Sequence, residues 1–204
     1  MKKDFAKIVV VLDRSGSMSS IKKDMEEGLR TFVEEQKKVP GTAEFDLYTF
    51  DSYCEREIRK KNLSEVEPSD IKLTPRGSTA LYDALGSSIK QIGSELDSMK
   101  EEDKPEKVIF VIVTDGEENS SREYSGAEIK RLITQQEKEW KWNFIYLGAN
   151  QDAFKVGHII GTQSYYTANF RPTGQSINSV YMGVSNSVKS IRCSGGITAL
   201  NANY

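Results

Sequence analysis

Apolar residues along the chain recur in two alternating patterns, short β-branched runs and longer stripes at helical spacing. Lys7 to Asp13 is apolar on both sides and ends on polar residues, which is what a central parallel strand covered by helices requires. From Ser20 to Lys38, Ile21, Met25, Leu29, Phe32 and Val33 mark one face of a helix that Pro40-Gly41 stops. Ala43 to Phe50 and Tyr53 to Ile58, joined at Asp51-Ser52, read as a hairpin at one edge. Lys60 to Ser78 mixes charge with Pro68, Pro75 and Gly77 without a sustained period, so a long loop containing a short helical turn is expected.

Leu81, Leu85, Ile89, Ile92 and Leu96 stripe a helix over Thr79 to Met99, and the charged loop Glu101 to Lys104 leads into a strand at Lys107 to Thr114. Ile129, Leu132, Ile133 and Trp140 mark another helix. A strand at Trp142 to Leu147, a short helix from about Gln151 to Ile160 and a strand at Tyr165 to Ala168 follow. The last helix carries Ile177, Val180, Tyr181, Val184, Val188 and Ile191 between Pro172-Thr173-Gly174 and Gly195-Gly196. This alternation predicts an α/β fold: a doubly wound, mostly parallel sheet of about six strands with one antiparallel edge strand and helices on both faces. At 204 residues, one domain spanning 1–204 is expected. Ligands of such sheets bind beyond the carboxyl ends of the strands.

Three polar clusters fall where that rule points: Asp13-Arg14-Ser15-Gly16-Ser17, Gly77-Ser78-Thr79 and Thr114-Asp115-Gly116. Hydroxyls and carboxylates without thiols or imidazoles form a hard donor set, suited to Mg²⁺, Ca²⁺ or Mn²⁺ rather than zinc, with Mg²⁺ preferred. Asp13-Arg-Ser15-Gly-Ser17 after an apolar strand resembles the DxSxS signature of the metal-ion-dependent adhesion site in von Willebrand factor A domains. Thr79 in Gly-Ser-Thr-Ala-Leu-Tyr-Asp and Asp115 in Val-Thr-Asp-Gly match the later threonine and aspartate of that site, in the same order. The resemblance covers about Lys7 to Asn150 and is to the intracellular bacterial or phage type. It implies a divalent cation held by Asp13, Ser15, Ser17, Thr79 and Asp115: three residues offer hydroxyls, and the two aspartates supply charge directly or through water. It also implies a metal-dependent protein-interaction module that is not an enzyme, with an open coordination position for an Asp or Glu of a protein partner.

Composition narrows the picture. The 28 Lys and Arg against 30 Asp and Glu, a net charge of −2, do not suggest a nucleic-acid partner. The runs Ile8 to Leu12 and Val108 to Val113 fall well short of the roughly 20 residues that span a bilayer, and Met-Lys-Lys-Asp opens no signal peptide. The expectation is a cytoplasmic protein without a membrane partner. Cys54 and Cys193 lack CxxC spacing and read as free thiols, and the one histidine, His158, leaves few schemes with an imidazole base. Two alternatives stand beside the interaction module. One is a Mg²⁺-dependent, aspartate-based phosphotransferase or phosphatase on Asp13, although Ser15 occupies the position where such sites carry a second acid. The other is a metal-free scaffold. Arg14, Asp83, Glu117, Glu118 and Asn119 read as solvated surface groups, and Trp140, Trp142, Phe144 and Tyr146 as packing residues.

Overall fold

The computed structural model describes residues 1–149, 152–163 and 166–194. Six strands, β1 (Lys2–Asp13), β2 (Thr42–Phe50), β3 (Cys54–Asn62), β4 (Pro105–Thr114), β5 (Asn143–Ala149) and β6 (Thr167–Phe170), alternate with five helices. These are α1 (Lys22–Lys37), α2 (Leu81–Asp97), α3 (Gly126–Trp140), α4 (Ala153–Ile160) and α5 (Gly174–Ser194). The strand order is β3-β2-β1-β4-β5-β6. Every neighbouring pair is parallel except β2 with β3. The doubly wound sheet with one antiparallel edge is therefore the fold the periodicities predict.

Alternation along β1 divides the core. Ile8, Val10 and Leu12 face one layer with Met25, Leu29 and Phe32 of α1 and Val180, Val184 and Val188 of α5. Val9 and Val11 face the other, with Leu85 and Ile89 of α2, Ile129 and Ile133 of α3 and Ile160 of α4. Both sides of β1 are buried, which is why that segment reads as continuously apolar. Trp142, Phe144 and Phe110 stack in the second layer, with ring centroids 5.1 and 5.5 Å from Phe110. Trp140 departs from the packing expectation: the residue is 55% exposed at the end of α3.

Several boundaries move, each for a tertiary reason. β1 begins at Lys2 instead of Lys7, because Phe5 to Lys7 pair with Thr42 to Glu44 and Lys2 with Pro105. The Lys7 side chain is itself buried, ion-paired with Glu44 and with Asp46, which also holds Arg56. Helix α2 starts at Leu81 instead of Thr79, since Asn119 takes both backbone groups of Thr79 at 2.9 and 3.0 Å. The expected loop over Lys60 to Ser78 has two short 3-10 turns, Leu63–Glu65 and Pro68–Asp70. The last strand is shifted to Thr167–Phe170. Gln151, Tyr165 and Gly195-Gly196, named above as element ends, lie outside the described residues. Among the described residues no helix is long and apolar enough to cross a membrane.

The chain leaves β1 toward β2 on one side and later returns to β4 on the other, so the topological switch point lies between the carboxyl ends of β1 and β4, where an open sheet leaves a crevice. Helices α1 and α5 pack against each other on one face of the sheet. Gly28 of α1 lets the buried Tyr181 ring of α5 approach so closely that a Cβ would lie 2.3 Å from Tyr181 Cδ2. Gly28→Ala is predicted to destabilise the fold by about 1–3 kcal/mol through overpacking. Gly93→Ala in α2, where a Cβ meets nothing within 4 Å, is predicted to stabilise it by about 0.5–1 kcal/mol. Chemical denaturation of the two variants checks the opposite signs.

Candidate metal centre

Asp13 ends β1 at the switch point, and its side chain is fully buried. Its Oδ1 accepts the Ser15 N–H at 2.6 Å, turning the chain sharply after the strand, and its Oδ2 accepts the Thr114 hydroxyl at 2.6 Å. The register explains the second bond, because Leu12 pairs with Val113 and the next residues on the two strands stand side by side. Beyond this pair the hydroxyls line up. Ser15 Oγ and Ser17 Oγ are 3.0 Å apart, and Ser17 Oγ donates to Asp115 Oδ1 at 2.7 Å. Thr79 enters from the third segment: a Cβ added at Gly116 would stand 3.3 Å from Thr79 Oγ1 and 3.7 Å from Ser17 Oγ. Glycine at 116 thus lets the Thr79 hydroxyl sit close to the backbone that follows Asp115. The side-chain oxygens of all five sequence-predicted site residues converge at one rim.

Burial pushes the Asp13 carboxyl up to about 6; the hydrogen bonds from Thr114 and Ser15 oppose the shift, and the neighbouring Asp115 adds to it. Burial raises Asp115 as well, opposed by the Ser17 hydroxyl. Two partly dehydrated carboxylates beside neutral hydroxyls favour a positive charge at this rim. The oxygen-only set of carboxylates and hydroxyls suits a hard divalent cation. Among the described residues no three His, Cys, Asp or Glu side chains gather into a metal cluster, so this rim differs in kind from a thiolate, imidazole or carboxylate-rich site.

The residues that brace the rim were not recognised as such in the sequence. Arg14 is a correction. It is 4% exposed instead of a surface arginine, and it binds Asp51, Thr49, Glu55 and Glu57 at 2.7–3.0 Å. Asp51 Oδ2 also accepts Arg76 Nε at 2.9 Å, Arg76 N–H donates to Arg14 O at 2.8 Å, and Gly16 N–H donates to Gly77 O at 3.2 Å. Gly77 has φ +67°, a backbone region that favours glycine, and a Cβ there would stand 3.1 Å from Ser52 Oγ. Ala80 N–H donates to Asp51 O at 2.8 Å, which ties the Thr79 loop to the β2–β3 turn.

Glu118 and Asn119 are a second correction, because neither simply solvates a loop. Glu118 accepts the N–H groups of Tyr82, Ser120 and Ser121, while Asn119 holds Thr79. Asp83 is a third: its carboxylate accepts the N–H groups of Arg122, Glu123 and Tyr124 at 2.8–2.9 Å. Its place in the first turn of α2, one helical turn after Thr79, was the available signal. Glu117 is exposed as expected, and His158 is exposed on α4.

Comparisons with known proteins concern the fold. No family model and no curated protein matches the sequence. Solved structures do. Proximal thread matrix protein 1 from the mussel byssus, with a zinc-occupied MIDAS motif, superposes with TM-score 0.64 at 17% identity, over 93% of this chain and 47% of that one. A von Willebrand factor type A protein from Catenulispora acidiphila gives TM-score 0.62 at 13% identity, over 92% and 43%. The PilB minor pilin from Streptococcus sanguinis gives 0.65 at 11% identity, over 93% and 62%. The chain thus has the fold of von Willebrand factor type A proteins and spans about half the length of the mussel and Catenulispora structures.

A metal-free pH series checks the electrostatics of the rim. A carboxyl raised from 3.8 to about 6 by folding contributes stability that is fully present below 3.8 and lost as pH rises through about 6. In EDTA, the melting temperature of the wild type is therefore predicted to fall between pH 5 and pH 7.5, and Asp13→Asn to flatten that fall. An unchanged slope in Asp13→Asn would refute the assignment.

Proposed function

We propose that this chain is a von Willebrand factor A-type interaction module that holds a divalent cation, Mg²⁺ by preference, on Asp13, Ser15, Ser17, Thr79 and Asp115. The observation that carries the reading is the contact of Ser17 Oγ with both Ser15 Oγ, at 3.0 Å, and Asp115 Oδ1, at 2.7 Å, which joins loops on either side of the switch point. Thr79 faces them across Gly116. The bound ion would supply an electrophilic centre whose charge two carboxylates merely balance, and it would attract an anionic oxygen such as a partner protein's Asp or Glu.

The residues around that centre hold and orient it. Asp13 fixes the Ser15 turn through one oxygen and Thr114 through the other, while Asn119 holds the Thr79 backbone. A binding role without catalysis belongs to the same reading. Ser15 stands where an aspartate-based phosphotransferase on Asp13 carries its second acid, and that supports the non-catalytic reading. A cytoplasmic setting is part of the proposal too, supported by the free thiols Cys54 and Cys193.

Titration calorimetry with Mg²⁺ and Mn²⁺ is expected to show one site, lost in Asp115→Ala and Ser17→Ala. Mg²⁺ at about 100 times its Kd is expected to stabilise the fold by about 2.7 kcal/mol. Affinity purification is expected to recover a partner in Mg²⁺ that EDTA and Ser17→Ala both release. Equal recovery in EDTA would refute metal-dependent binding, and phosphatase turnover with Mg²⁺ would refute the non-enzymatic reading.

A further inference from the structure

Thr79 is only 3% exposed, yet its hydroxyl makes no hydrogen bond among the described residues. Its backbone is treated in the opposite way. The Thr79 N–H donates to Asn119 Oδ1 at 2.9 Å, and the Thr79 carbonyl accepts the Asn119 N–H at 3.0 Å. On the next residue the Ala80 N–H donates to Asp51 O at 2.8 Å. Both backbone groups of Thr79 are thus fixed, while its side-chain oxygen faces Gly116 and Ser17. A β-branched side chain is stiff at χ1, so fixing this backbone also fixes where the oxygen points. Leaving a buried hydroxyl unpaired costs free energy, which a ligand at the rim would recover.

Asn119 is exposed, and its neighbours in the chain hold it in place. Glu118 accepts the Tyr82 N–H at 3.0 Å, and Ser121 Oγ accepts the Asp83 N–H at 3.1 Å. Helix α2 has no side-chain cap at Ala80, so these two loop residues satisfy donors of its first turn. Tyr124 completes the contact, because a Cβ at Gly86 of α2 would stand 2.6 Å from its ring. The loop that follows Asp115 and the segment that carries Thr79 are therefore one body, joined by bonds within the protein alone.

We infer that Asn119 is a positioning residue which, by clamping Thr79, makes the cation site discriminate by ionic size in favour of Mg²⁺ over Ca²⁺. This rests on the metal-dependent reading above. Mg²⁺ demands a near-octahedral oxygen shell at about 2.0–2.1 Å, whereas Ca²⁺ accepts oxygens at about 2.3–2.6 Å in flexible arrangements. A neutral hydroxyl is a weak donor, and its contribution depends on being held where the ion needs it. Two bonds to the Thr79 backbone suit the more demanding ion. Removing one lets the oxygen settle farther out, which Ca²⁺ tolerates and Mg²⁺ does not. Asn119 acts through Thr79 and supplies no ligand atom itself.

Calorimetry on the full 204-residue chain, with Mg²⁺ and Ca²⁺ as separate probes, reads this discrimination directly. The wild type is expected to bind Mg²⁺ more tightly than Ca²⁺. Asn119→Ala, which removes Oδ1 and keeps the backbone N–H, is expected to weaken Mg²⁺ at least about fivefold, or about 1 kcal/mol, and Ca²⁺ less than about twofold. Asn119→Asp retains the acceptor oxygen. Its added charge tightens both ions, and the Mg²⁺-to-Ca²⁺ affinity ratio is expected to stay within about twofold of wild type. Thr79→Ser keeps the hydroxyl but frees χ1, and is expected to narrow the ratio as Asn119→Ala does. In EDTA, Asn119→Ala is expected to speed hydrogen exchange at the Thr79 amide at least about tenfold, with the Ala80 amide little changed. An affinity ratio unchanged in Asn119→Ala or in Thr79→Ser, or a Thr79 amide that exchanges as in the wild type, would overturn the role of Asn119 and leave the cation site standing. So would a wild type that binds Ca²⁺ as tightly as Mg²⁺. A wild type that binds neither ion would overturn the metal-dependent reading, and this inference with it.

Discussion

A carboxylate buried at the point where the sheet reverses its winding is the constraint on which the rest of the rim depends. Asp13 has no solvent exposure, and its oxygens are satisfied by the Ser15 N–H and the Thr114 hydroxyl. The first bond bends the chain so that Ser15 and Ser17 point along the rim, and the second locks β1 to β4. Asp115 follows Thr114 directly, so the same lock brings a second carboxylate within reach of the Ser17 hydroxyl. A buried negative charge costs free energy unless it is paired or hydrogen-bonded. Here hydrogen bonds offset only part of that cost, which is why Asp13 is raised to about 6. The fold holds carboxylates in a place that a cation would relieve.

Around this core the loops are joined by groups that never reach the rim. Arg14 and Arg76 share the buried Asp51, whose carbonyl also holds Ala80, so the β2–β3 turn and the Thr79 segment form one hydrogen-bonded unit. On the other side Glu118, Asn119 and Asp83 fasten the loop after β4 to the start of α2. The rim hydroxyls carry no charge of their own. Their positions are instead fixed by ion pairs and backbone bonds one layer out, an arrangement that holds weak donors in place.

The elements and the five rim residues were legible because their signals are local. Val9 to Val11 are apolar because both faces of β1 are covered, and Asp13, Ser15 and Ser17 lie within one turn. The bracing residues were not legible, because Arg14, Asp83, Glu118 and Asn119 each need a partner from a segment 35 to 43 positions away, as Arg14 finds in Thr49 and Glu57 and Asp83 in Tyr124. A charged residue in a loop looks solvated until its tertiary partner is known. The same holds for the start of α2, where helical periodicity reaches Thr79 but Asn119 removes its backbone from the helix. Lys7, buried beside Asp46 within an otherwise apolar strand, shows the effect inside the sheet.

The central claim is that the oxygens converging on Asp13 and Asp115 form a cation site. Anomalous scattering from crystals grown with Mn²⁺ tests it most directly. One strong peak is expected among the side chains of Asp13, Ser15, Ser17, Thr79 and Asp115, together with its disappearance in Asp115→Ala crystals that retain the fold. A wild-type map with no peak there, or with Mn²⁺ bound only elsewhere on the surface, would contradict it.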